Sequence, residues 1–218
     1  MMTATMPVTG AALAEAVGPE AQARLLGLPR DRIHDPDIAE RAAAARAWYA
    51  RHGRPFVAWR RESVAEVAAP HVRLGNDVSL RGRALAERLG STGAQAFVAV
   101  AASAGPEVAA EADRHWREER PDEAYFLDRF GAAVAEGLVR AASGFLADAL
   151  VPGEILLPHL SPGCGGWDLA DQHVLWRLLF GDGACPERPV RILDSGGLDP
   201  RHSVLAGFGV ALRGAEVD

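Results

Sequence analysis

The chain predicts an α+β fold built on a largely antiparallel sheet. Three observations carry this. Ala94 to Ala102 (AQAFVAVAA) is almost continuously small and apolar, as suits a strand covered on both faces. Between Ala124 and Leu150, the residues Phe126, Phe130, Val134, Leu138, Ala141, Phe145 and Ala149 recur at spacings of three or four, which draws one apolar stripe along a long helix. The other helical and extended segments alternate without the regular strand–helix–strand order of a parallel sheet.

Taken in order, residues 1–10 read as a mobile start and the domain as residues 11–218. Ala11 to Leu26 is an Ala-rich helix ended by Gly27 and Pro29. Asp37 to Arg51 is a second helix, stopped by Gly53 and Pro55. Pro55 to Trp59 reads as a short strand and Pro70 to Leu74 as another. Ser79 is a candidate N-cap for a helix to Leu89, with Gly90 at the stop position. After the central strand, Gly105-Pro106-Glu107 opens a helix with proline and an acid in the first turn. Ile155 to Leu157 is a strand candidate, Ser161 to Gly166 a tight loop, and Asp168 a cap for a helix from Leu169 to Phe180. Val190 to Leu193 and Val204 to Leu212 are strands around a turn with Gly196, Gly197 and Pro200.

Composition narrows the function classes. At 218 residues the chain can bury a sizeable core. The net charge of −6 has both signs interspersed, without the basic stripe that nucleic-acid binding uses. No uninterrupted apolar run approaches bilayer length, so no membrane role is expected. Two cysteines, Cys164 and Cys185, make neither a disulfide framework nor a Cys-rich zinc site; they read as reduced thiols of a cytoplasmic protein. Every basic residue apart from histidine is Arg, so Schiff-base chemistry on a lysine is excluded.

Three separated segments resemble one family, in the same order. Phe97 to Glu107 is similar to that family's strand running into a T-x-G-P-E/D turn. Phe130 to Glu136 is similar to its Ala-rich helix with an internal acid. Ser161-Pro162-Gly163, Trp167 and Gln172, followed by Asp194-Ser195 and Pro200 to Val204, resemble its S-P-G-Y…W…Q loop and the extended segments after it. The family they resemble is the free-standing form of the activation domain of cobalamin-dependent methionine synthase. The similarity covers about residues 20 to 212.

The resemblance implies a single domain with a twisted antiparallel sheet flanked by helices. It also implies an S-adenosylmethionine-binding accessory protein in methionine biosynthesis, which reactivates a cobalamin-dependent methyltransferase by reductive methylation of cob(II)alamin. The cobalamin is carried by a corrinoid-binding methyltransferase module, and a flavodoxin or ferredoxin supplies the electron. Such a protein needs few acids or bases, because the cofactors carry the chemistry and the chain supplies orientation.

Residue by residue, the resemblance makes Ser161, Pro162 and Gly163 backbone contacts to S-adenosylmethionine. Glu136 and Glu154 become candidates to meet its ammonium group; Asp194 stands where the family usually has Glu, with Ser203 on the strand beside it. Two positions depart from the pattern. His159 replaces an Arg suited to gripping a carboxylate with two parallel bonds, and Cys164 replaces a Tyr. These departures keep two alternatives open: a diverged enzyme on the same scaffold with a reshaped pocket, or a non-catalytic domain docking on a corrinoid protein.

Simpler readings stand beside the sharp ones. Cys164 near His159 and His173 invites a thiol nucleophile, yet free cysteine is usually a small packing residue. His159, His173, His202, Cys164, Cys185 and Asp194 match no zinc spacing. Arg60-Arg61 reads as a solvated face. Glu136 reads as a buried acid on an apolar helix, which needs a partner.

Overall fold

The computed structural model describes residues 3–18, 26–27, 35–181 and 189–214. Along them run β1 (Ala4–Thr5), α1 (Gly10–Ala16), α2 (Pro36–His52), β2 (Phe56–Ala68), β3 (His71–Leu74), β4 (Ser79–Arg81) and α3 (Arg83–Ser91). These are followed by β5 (Ala96–Ser103), α4 (Pro106–Arg117), α5 (Pro121–Asp148), β6 (Glu154–Leu156), α6 (Asp171–Phe180), β7 (Arg191–Ile192), β8 (Leu198–Asp199) and β9 (Ser203–Leu212). The architecture is α+β, an antiparallel sheet flanked by helices, as the sequence predicts.

The main sheet runs β4-β3-β2-β5-β9-β6, with β1 added beside the first half of β2. Every pairing is antiparallel. β5 lies between β2 and β9, and all eight of its residues are buried, which is why its sequence lacks polar alternation. Its two faces feed separate cores. Val98, Val100 and Ala102 pack with Val57, Ala206 and Phe208 under α1, α2, α4 and α5. Phe97, Ala99 and Ala101 pack with Leu157, Trp167 and Leu205 under α3 and α6.

α5 is long and apolar enough to cross a bilayer by length and composition, but its stripe, including Phe130, Val134, Leu138 and Leu146, is buried in the first core. The helix holds Gly131 because His202 crosses it closely: a side-chain carbon there would lie 2.8 Å from His202 Nδ1.

Several boundaries differ from the sequence reading, each for a physical reason. The start is not a mobile tail from residue 3 onward. Ala4 and Thr5 pair with Ala58 and Trp59, Met6 N–H donates to the Val57 carbonyl at 3.1 Å, and the Met6 side chain enters the first core. α1 ends at Ala16, and residues 19–25 of the longer helix read there lie outside the described residues. Cys185 also lies outside them.

β2 continues well past Trp59, because the charges that argue against a strand are paired. Arg60 Nε bonds Glu62 Oε1 at 2.5 Å, and Arg61 reaches across two strands to Glu154. Arg60-Arg61 is therefore no freely solvated face. Ser79 caps no helix; it begins β4, whose Leu80 is fully buried opposite Val72, and α3 starts after Gly82. Asp168 closes a local turn to Ala170 N–H at 3.0 Å, while α6 itself begins at Asp171.

Candidate functional site

The segment that follows β6 wraps around the outer rim of the sheet and touches both cores. Leu157 N–H donates to the Gly209 carbonyl at 2.8 Å, and Leu160 exchanges two hydrogen bonds with Gly207, at 3.0 and 2.8 Å. On one face, the His159 ring lies against Phe208 with centroids 5.6 Å apart. On the other, Trp167 is 2% exposed and meets Phe97 edge-on at 6.1 Å. Gly207 makes this approach possible, because a side-chain carbon on it would fall 2.3 Å from the Phe97 ring and 3.0 Å from the Trp167 ring.

Between these anchors Ser161 to Gly166 forms a tight loop, as its composition predicts. Cys164 N–H donates to the Ser161 carbonyl at 3.0 Å, Trp167 N–H to the Cys164 carbonyl at 3.0 Å, and Gly163 N–H to the Trp167 carbonyl at 2.9 Å. Gly163, Gly165 and Gly166 take φ of +86°, +57° and +79°, a region where other residues are strained. Pro162 is buried and residues 163–166 are exposed, so apart from the Cys164 thiol the loop offers backbone to solvent. Its base borders a shallow cavity of about 400 Å³ lined by Pro70, Arg81, Gly82, Arg83, Gly166, Trp167 and Asp168.

The base is held by Asp171, which sequence reasoning missed. Its Oδ2 accepts Trp167 Nε1–H at 2.6 Å and Arg81 N–H at 2.5 Å. Burial pushes its carboxyl above the ordinary aspartate value, against the lowering effect of the two donors and with a further push from Asp168. A raised folded value means its contribution to stability is fully present below the unfolded carboxylate pKa and is lost as pH rises through the folded one. Asp171→Asn keeps one oxygen for both donors and removes the buried charge. Its melting temperature is expected to match wild type near pH 4 and to exceed it at pH 8, by a stability difference of about 1 kcal/mol. Thermal unfolding across that range checks this.

The other candidates are dispersed over the fold. Ser203 opens β9 opposite Ser103, and its hydroxyl donates to Ser103 Oγ at 2.9 Å; Ser103 Oγ in turn accepts Gly105 N–H at 3.2 Å. The two segments read as a family-like turn and strand thus meet directly. Asp194 is exposed in the turn of the β7–β8 hairpin. That turn reaches the loop through Leu169: side-chain carbons on Gly163 and Gly196 would lie 3.0 and 4.0 Å from Leu169 atoms.

Glu154 is committed elsewhere. Both its oxygens bond Arg61, Oε2 also accepts Val151 N–H at 3.2 Å, and the Arg61 guanidinium holds its carboxyl below the usual range. It is not a free partner for a ligand ammonium. Glu136 is not buried; it sits on the exposed stripe of α5 and makes no ion pair among the described residues. Cys164 is a free, exposed thiol at the loop tip. Burial, and then the nearby Arg88, hold the His159 imidazole below its ordinary pKa, so it is neutral at pH 7. Among the described residues no three His, Cys, Asp or Glu side chains converge as a metal site.

Beyond Gly207 the outer edge of β9 is unpaired among the described residues. Main-chain groups alternate in direction along an antiparallel strand, so Leu205 and Ser203 point outward as Gly207 and Gly209 do. Their outward N–H and C=O groups have no backbone partner among the described residues. The site therefore combines loop backbone, a short stretch of open strand, a neutral imidazole and a free thiol. That set fits a polar, hydrogen-bonding small molecule whose own groups carry the reactivity.

No family model matches the chain, and no curated protein matches it in sequence. Among solved structures, it is similar to the crystal structure of the MetH reactivation domain bound to AdoHcy. The TM-score is 0.70 at 12% identity, covering 96% of this chain and 78% of that one. The likeness is one of fold, and it spans nearly the whole chain.

Proposed function

We propose that this protein binds S-adenosylmethionine at the rim of its sheet and serves as an accessory that reactivates a cobalamin-dependent methyltransferase by reductive methylation. One observation carries the reading: the Ser161–Gly166 loop, with residues 163–166 exposed, stands beside an unpaired stretch of β9, on a fold shared with a domain solved with AdoHcy. The sulfonium supplies an electrophilic methyl group and a partner's reduced corrin supplies the nucleophile.

This chain's own part is to bind and orient. Loop N–H and C=O groups, with those of Leu205 and Ser203, can hold the nucleoside. The exposed carboxylate of Glu136 remains available to an ammonium group. The openness of the site suits transfer to a cofactor carried by another protein, here a corrinoid module, with flavodoxin or ferredoxin as the electron donor. Cytoplasmic location belongs to the same reading.

Isothermal titration with S-adenosylmethionine tests the first half. Saturable binding with a matching rise in melting temperature, about 2.7 kcal/mol at one hundred times the dissociation constant, is the expected result. Purified protein mixed with a cob(II)alamin-loaded partner, a reductant and methyl-labelled S-adenosylmethionine tests the second. Label must appear on the cobalamin; its absence with a competent partner sinks the reactivation reading.

A repurposed pocket is the second reading, favoured by the neutral His159 and by the withdrawal of Glu154 into its pair with Arg61. His159→Arg combined with Cys164→Tyr separates the two. If the pocket still serves S-adenosylmethionine, the double variant binds it about tenfold more tightly, through the charge-assisted bonds a guanidinium adds. Absence of S-adenosylmethionine binding in both wild type and the double variant points to a different small-molecule ligand.

A further inference from the structure

Helix α3 lies against the candidate loop with one face, and that face carries an arginine whose charge nothing in the described chain answers. Ala84 and Arg88 are one helical turn apart and so share a side. Arg88 Nη1 donates to the Pro158 carbonyl at 2.9 Å, and a side-chain carbon on Gly165 would lie 4.0 Å from Ala84 Cβ. The stretch from Pro158 to Gly165 thus rests along this face, with small Ala84 admitting the loop and Arg88 standing at the His159 end.

Arg88 is half-buried, and among the described residues no carboxylate pairs with it. By contrast, Arg61, Arg114 and Arg201 each hold at least one acid. A guanidinium has five N–H donors in a planar fork, and only one nitrogen here has a partner, a neutral carbonyl. That bond aims the group without discharging it. Because His159 beside it is neutral at pH 7, positive charge at the Pro158 end of the loop rests on Arg88, while Arg81 and Arg83 line the cavity at the Gly166 end.

We infer that Arg88 binds the carboxylate of the ligand held on the Ser161–Gly166 loop, which on the reading above is the amino-acid carboxylate of S-adenosylmethionine. The inference depends on that reading for the ligand's identity, and on the α3 geometry for the residue. The guanidinium meets the carboxylate through its remaining donors, while the Pro158 carbonyl keeps its orientation.

The test compares S-adenosylmethionine with its decarboxylated form, which keeps the sulfonium nucleoside and lacks the carboxylate. Wild type should bind the carboxylated ligand roughly tenfold more tightly. Arg88→Gln should lose that preference by weakening S-adenosylmethionine alone, and Arg88→Lys should restore part of it. Melting curves check that each variant folds. If Arg88→Gln binds S-adenosylmethionine as wild type does, or weakens both ligands equally, the assignment of Arg88 is overturned while the S-adenosylmethionine reading stands. If wild type binds neither ligand, both fall together.

Discussion

Asp128→Ala is expected to lower the melting temperature by roughly 5–10 °C, from a loss of about 2–3 kcal/mol in a domain of this size. Asp128 Oδ1 receives Arg201 Nε–H at 2.8 Å and lies 3.0 Å from His202 Nε2. His202 is 6% exposed and is pressed against Gly131 of α5, so removing the carboxylate strands an imidazole where water does not easily reach. Arg201 keeps Asp113 at 2.9 Å, and its exposure limits its share of the loss.

The pH dependence has a definite sign. His202, and then Arg201, hold the Asp128 carboxyl well below the usual carboxylate range. Its stabilisation is therefore fully present above the unfolded carboxylate pKa and disappears as pH falls through the folded value. The gap between wild type and Asp128→Ala should be widest near neutrality and narrow below about pH 4. A gap that stays constant from pH 7 to pH 3 would contradict this account.

Trp167→Ala should cost more, about 3–5 kcal/mol, because a large ring leaves a nearly sealed place in the second core. Gly82, Gly207 and Phe97 close on that ring, and the backbones of Gly82 and Trp167 form a bridge. Losing Nε1–H also deprives buried Asp171 of one of its two donors. Ligand binding should fail at temperatures where the variant is still folded, since the loop's inner anchor is gone. Trp167→Phe isolates the hydrogen bond: it keeps most of the packing and should lose about 1–2 kcal/mol. Urea titration of the three proteins, with ligand titration on each folded form, measures both effects.

What could be read from the sequence follows from what local pattern records. β5 and α5 were legible because each sits wholly within one environment, the strand covered on both faces and the helix amphipathic along its length. The loop was legible because glycines and a proline concentrate where the backbone must turn left-handed. The full length of β2 was not, since Arg61 finds Glu154 some ninety residues away, and no local window contains that pair. The start of the chain was misjudged for the same reason: Met6 is held by β2 and by the first core, not by its sequence neighbours.

Within the candidate site, the loop was foreshadowed by its composition, whereas the Ser103–Ser203 contact, Asp171 and Arg88 were not. Asp171 looks like any acid in a helix's first turn until Trp167 and the Arg81 amide converge on it. Arg88 looks like a solvated helix residue until the Pro158 carbonyl is placed beside it. Glu136 shows the converse error, because an acid within an apolar pattern can still occupy the one stripe that faces water.

The sheet ends in two very short strands, β4 and β6, each three residues long, with Ser79 and Arg81 exposed on the former. Short margins of this kind give a second molecule little to hydrogen-bond against, which guards against stacking into fibrils. The ten-residue strand just inside β6 is far more adhesive, being almost entirely apolar. Proteolytic nicking that peeled away residues 153–160 would lay that strand bare, so clipped preparations should precipitate where intact ones stay dispersed.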